Sequence, residues 1–142
     1  MADEVFDPIR KLIESEFKAY WDANVPTVPI EWDGVPFEQP SAKKWVRVVI
    51  LPGQGVQASI GSRKLEKQPG VAVVSVFIEK NTGAKPAYDL ADKAGEALRY
   101  KQLTDGTVTV SMEAPFVTRG NPADAFFTIN LNVPYEAQHL TL

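Results

Sequence analysis

A chain of 142 residues, 44% hydrophobic and 23% charged, has the length of one globular domain and enough apolar side chains to bury a core. Its formal net charge of −3 has the wrong sign for a dedicated nucleic-acid binder, which displays a basic field. The absence of cysteine excludes disulfides, thiolate nucleophiles and cysteine-ligated zinc, and the single histidine leaves a metal only oxygen ligands beside it.

The opening MADEVFDPIRKLIESEF has neither the basic start nor the apolar block of a signal peptide, and no later run approaches about eighteen apolar residues. Neither export by that route nor a membrane span is expected. Phe6, Ile9, Leu12, Ile13, Phe17 and Tyr20 recur at helical spacing. They predict a first helix from about Asp7 to Asp22, with Asp7 as cap and Pro8 in the first turn. A start near Asp3, with a distortion at Pro8, is the alternative.

The following stretch to Phe37 carries Pro26, Pro29 and Pro36, three prolines in eleven residues, with Trp32 and Phe37 among them and Trp21 just before. Proline lacks the backbone donor and fixes φ, so the segment reads as an edge strand or a strap. Its aromatics must bury against the domain or against a neighbouring subunit, and both destinations are compatible with the pattern.

Lys44 to Leu51 reads as a strand with Val46, Val48 and Ile50 on one face. Pro52, Gly53 and Gly55 break it, and Val56 to Ile60 reads as the return strand of a hairpin ending at Gly61. Gly61 to Gly70 reads as a loop bearing Arg63, Lys64 and Lys67. The valine-rich run Val71 to Ile78 suits the middle of a sheet. Pro86 opens a second helix with Ala87, Leu90, Ala91, Ala94, Ala97 and Leu98 on one stripe, and Arg99 and Lys101 at its C-terminal end. Asp105 and Gly106 form a turn before a strand at Val108 to Met112. Asp33 to Lys43 and Ala114 to Asp124 read as loops, and a last strand runs from Ala125 to Pro134. The fold class is α+β: a mostly antiparallel or mixed sheet of about five to six strands with two helices packed on one face. One domain is expected over residues 1–142, frayed at 1–6 and 138–142.

Catalytic chemistry is hard to assemble from these residues. His139 falls in the expected frayed tail and reads as solvated, whereas a nucleophile's base must be fixed by packing. GQGVQASIG at Gly53 to Gly61 lacks both the spacing and the following helix of a phosphate loop. Asp89, Asp92 and Glu96 read as a solvated helix face, and no acid pair stands out for glycoside hydrolysis. No enzyme activity, cofactor or metal is expected. Arg63, Lys64 and Lys67 read as a solvated loop or as a contact with an acidic partner. A small-ligand or carbohydrate-binding module using the tryptophans is a reading of a different class.

The ordered strings FKAYWDANVPTVPIEWDGVPF, KKWVRVVILPG, QASIGSRK, GVAVVSVFIEKNTGAKPAYDLADKA and FFTINLNVPYEA together resemble the bacteriophage tail terminator-like family, over about Ile9 to Ala137. The matching positions are Trp21, Asn24, Pro26, Pro29, Ile30, Trp32, Pro36, Phe37, Trp45, Val46, Gly61, Gly70, Phe77, Ala91, Asp92, Asn130, Val133 and Pro134. They look structural and transfer no catalytic residue. The resemblance implies a phage or prophage virion protein that caps the tail tube, stops its polymerisation and helps join tail to head. It also implies a homo-oligomeric ring, usually hexameric, with the tail-tube protein and a head-completion or connector protein as partners. Assembly would take place in the bacterial cytoplasm and end at the head-proximal end of the virion tail, without membrane or dedicated nucleic-acid binding. Another head–tail joining or minor tail protein is the alternative. Trp32, Phe37, Arg63, Lys64 and Lys67 are the candidate interface residues.

Overall fold

The computed structural model describes residues 5–40, 43–57, 64–120 and 125–141. Two helices pack on one face of a mixed sheet whose strands are ordered β1-β2-β4-β8-β6-β5, with β3 added to β4 and β7 to β8. Helix α1 (Phe6–Asn24) exists because Ile9, Ile13, Phe17 and Trp21, four residues apart, form a stripe that is buried whole. Its N-cap is Val5, and Asp7 makes no cap hydrogen bond; the cap expected at Asp7 is corrected by two residues. Pro8 thus sits in the first turn, where its missing N–H has no intrahelical partner to lose. Asp7 instead pairs with Arg10 at 2.7 Å and Lys11 at 3.2 Å along the exposed face. Pro26 ends the helix just after the last bond, Val25 N–H to Trp21 O at 2.7 Å.

The first part of the strap forms β1 (Ile30–Trp32), which runs parallel to β2 (Trp45–Pro52) at the sheet edge. Strand β4 (Lys64–Glu79) is central, paired antiparallel to β2 on one side and to β8 (Phe126–Thr141) on the other. Ala72, Val74, Val76 and Ile78 of β4 and Ile129, Leu131 and Val133 of β8 face the helices and are all buried. Helix α2 (Lys85–Leu98) lays Ala87, Leu90, Ala91, Ala94, Ala97 and Leu98 on that face, as its stripe predicts, and alanine lets the helix approach the strands closely. Lys101 does not simply neutralise the α2 terminus: its ammonium reaches Glu16 of α1 at 2.7 Å and ties α1 to the segment that follows α2.

Three expectations about the strands need correction. β3 (Val56–Gln57) does not return along β2; it pairs with β4, Val56 opposite Lys67. Its expected continuation to Ile60 and Gly61 lies outside the described residues. The segment from Lys64 to Gly70 is strand, not loop. And β8 does not stop at Pro134 or fray after it but stays paired as far as Thr141.

A common device explains all three. Between the pairs Pro52↔Gly70 and Val56↔Lys67, three residues face two; between Met112↔Tyr135 and Phe116↔Asn132, again three face two. Each is a bulge with one extra residue, so β2 with β3, and β6 (Val108–Met112) with β7 (Phe116–Arg119), are two long strands each interrupted once. Pro69 O accepts from Gly53 N–H at 2.8 Å and Pro134 O accepts from Glu113 N–H at 2.9 Å. A strand residue points its N–H and C=O to the same side, so both prolines direct their missing donors at a bulge, where no ladder bond is lost. Gly55 closes the first bulge; a Cβ there would lie 2.2 Å from Gln68 Nε2.

β5 (Gln102–Thr104) joins β6 through a turn held by Asp105, whose carboxylate accepts from the N–H groups of Thr107 and Val108 at 2.8 Å each. Those bonds, Val108 first and Thr107 next, hold the Asp105 pKa below its usual 3.8. A carboxyl depressed by folding stabilises the fold above its unfolded pKa, and that contribution is lost as pH falls through the folded value. Asp105→Asn is therefore expected to lose less stability between neutral and strongly acid buffer than the wild type, read by thermal unfolding. An unchanged acid dependence would place the sensitivity elsewhere.

Candidate functional site

The strap's aromatics settle on both faces of the sheet. On the helix side Trp21 stacks on Phe17 with centroids 5.0 Å apart, donates from Nε1 to Val28 O at 2.9 Å, and is 1% exposed. Trp32 meets Phe17 edge-on at 6.4 Å. On the opposite face Trp45 stacks on Phe77 at 4.7 Å, receives Phe126 edge-on at 4.9 Å and is covered by Phe37 at 6.0 Å. Its indole donates to Glu31 Oε1 at 3.1 Å, and the Arg47 guanidinium lies over Phe77 at 5.0 Å. The strap therefore wraps the β1 edge: Trp32 is held on one face and Phe37 on the other, both half-buried against their own domain.

The five candidate interface residues do not converge. Lys67 lies far along β4 from β1, with its ammonium 3.9 Å from Glu136 Oε1. Both side chains are over 40% exposed, so this pair contributes little. Lys64 begins β4, its side chain outside the described residues, and Arg63 lies outside them altogether. Lys64 and Lys67 thus belong to a strand rather than to a loop.

His139, expected in solvent, is 3% exposed because β8 carries it between Glu66 of β4 and Val108 of β6; its Nδ1 is 4.0 Å from Glu66 Oε2. Of the acids read as a solvated face, Asp89 pairs with Lys85 at 2.9 Å, but Glu96 accepts the Tyr20 hydroxyl across the α1–α2 contact. That carboxylate pushes the Tyr20 pKa up to about 12, which fixes the phenol as a donor. The Tyr20–Glu96 bond ties the two helices together, whereas Lys85 and Asp89 pair within α2. Among the described residues no group of three or more metal-ligating side chains occurs, and no helix is long and apolar enough to cross a membrane.

The surface features sequence reasoning missed lie at the two edges of the sheet. Cavities of about 370 and 360 Å³ share Arg10, Glu14 and Asp33, forming one groove between α1 and the turn after β1. Phe6 at 57% and Val35 at 54% exposure stand on it. At the far edge β7 lies within a stretch read as loop, all four residues exposed, including Phe116 and Val117. Its signal was the short run FVTR between Pro115 and Gly120. Arg119 caps this strand with its guanidinium 5.0 Å from the Phe127 ring.

The fold has solved counterparts. One structure of 21% identity superimposes with a TM-score of 0.74, covering 94% of this chain and 96% of that one. Another, a chain from the virion of a native gene transfer agent particle, is 19% identical with a TM-score of 0.62, covering 98% and 99%. At such identities they establish a shared fold. No curated protein sequence matches the chain. The family described as phage tail terminator protein matches residues 8–135, from the first turn of α1 to the middle of β8 and so across both helices and the whole strap. The chain is a phage structural protein and belongs to the phage tail terminator protein family.

Proposed function

We propose that this protein ends the phage tail: subunits assemble as a ring, usually hexameric in this family, on the head-proximal end of the tail tube. There they stop its polymerisation and form part of the joint to the head. The observation that carries the reading is the family match across residues 8–135, which spans the fold instead of one motif. Two physical features support a role in assembly. The distinctive side chains, Trp21, Trp45 and the Tyr20–Glu96 bond, are used to hold elements together. The edges of the sheet also differ from each other, as a head-to-tail ring requires. The tail-tube protein and a head-completion protein are the partners, met in the bacterial cytoplasm during assembly.

Deleting the gene from an inducible phage is expected to give tubes of uncontrolled length by electron microscopy, with few joined to heads, and supplying the protein in trans is expected to restore both. Tails of normal length that merely fail to join heads would assign it to another head–tail joining role.

A further inference from the structure

A closed head-to-tail ring needs two different, mutually complementary surfaces on every subunit. Resting on that ring reading, we propose that β7 of one copy seats in the α1 groove of the next, with Val117 and Arg119 set against Val35 and Asp33. The two surfaces are different parts of the subunit: the groove lies between α1 and the turn after β1 and reaches Ile50 and Pro52 of β2 and Tyr135 of β8, whereas β7 is attached beyond β8. Contacts so placed propagate from copy to copy in one direction.

The backbone of β7 is prepared for a partner. Gly120 N–H bonds Thr128 O at 2.9 Å, which turns the even-numbered residues of this register toward β8 and leaves the N–H and C=O of Val117 and Arg119 facing outward. Among the described residues β7 pairs with β8 and with no other strand, so this outer row of N–H and C=O groups has no ladder partner. Its side chains add apolar surface, Phe116 at 52% and Val117 at 40% exposure, and the groove matches this with Phe6 and Val35.

Charge selects the occupant. Arg10 in the groove is already bound by Asp7 at 2.7 Å and Glu14 at 2.8 Å, and Lys18 by Asp22 at 2.7 Å. Asp33 and Arg119 have no ion pair among the described residues. Each stands two residues from an exposed valine, so the turn Asp33–Val35 offers an acid beside an apolar side chain and the strand end Val117–Arg119 offers a base beside one. A β7-to-β7 dimer would use the same edge yet leave the groove empty and its aspartate unpaired.

The cysteine-free chain gives a clean test. A Val35→Cys/Val117→Cys double variant, treated with a short bis-maleimide at the highest attainable concentration, is expected to give a ladder of covalent oligomers on a denaturing gel. The two single variants mixed should stop at dimers. Independently of cysteine, Arg119→Glu should lower the assembled fraction about tenfold by light scattering, as repulsion replaces attraction, and Asp33→Lys in the same chain should restore it. Wild-type rings without a 35–117 ladder would overturn this contact and leave the ring standing. Dimers from Val117→Cys alone, as fast as from the mixture, would replace it with β7 self-pairing. A wild type that stays monomeric both in solution and on isolated tail tubes would remove the ring reading and this contact with it.

Discussion

A chain ending at Pro134 is expected not to fold. The residues beyond it supply Tyr135, Ala137 and His139 to the buried face. They are also the strand that β6 pairs with on its inner side and the partner of β4 from Lys64 to Gly70. Removing that half-strand exposes a tyrosine, opens two ladders and leaves β6 and β5 as an isolated hairpin. The loss is on the order of 5–10 kcal/mol, summing about 2 kcal/mol for a large buried side chain and about 1 kcal/mol for each ladder bond. A domain of this size has roughly 5–15 kcal/mol in all. Circular dichroism and tryptophan fluorescence of the truncated chain should therefore lack a cooperative melt. A cooperative melt within a few degrees of the wild type would show that the terminal half of β8 is dispensable, as the sequence pattern alone suggests.

That contrast shows how far the sequence could be read. Ile9, Ile13, Phe17 and Trp21 announce α1 and its buried stripe, the alanine stripe announces α2, and the valine run announces β4 as central, because periodicity directly reflects which side of an element meets the core. Pairing partners are not written in periodicity. Val56 alternates as well for a strand beside β2 as for one beside β4, and only the bulge at 53–55 decides between them. Pro134 misleads for a related reason: proline reads as a stop when its missing donor would break a ladder, and here that donor faces a gap made by residues 113–115, distant in sequence. Placing His139 in solvent follows from that one error. β7 escapes notice because all four of its residues are exposed, so no buried face imprints a pattern on them. Of the interface candidates, Trp32 reads as a strap residue and lines the groove, and Lys67 stands out by charge alone and lies far along β4, beside Glu136.

The strap itself is expected to depend on Trp21 more than on any of its own residues. The indole occupies the last turns of α1, and its bond to Val28 O ties the chain after Pro26 back to the helix before β1 begins. Trp21→Ala removes the stack on Phe17 and opens a cavity under Val28, which is 4% exposed, at a cost of about 3–5 kcal/mol. Trp21→Phe keeps most of the apolar contact but leaves the Val28 carbonyl without its indole donor, for about 1–3 kcal/mol. Urea unfolding of the two variants against the wild type separates the contributions. A phenylalanine variant as unstable as the alanine variant would make the hydrogen bond, not packing, the anchor of the strap. An alanine variant within about 1 kcal/mol of wild type would mean that Trp45 and Phe37 hold the strap from the other face unaided. The expected order, alanine well below phenylalanine and both below wild type, follows from an indole that is buried against Phe17 and bonded at its one polar atom.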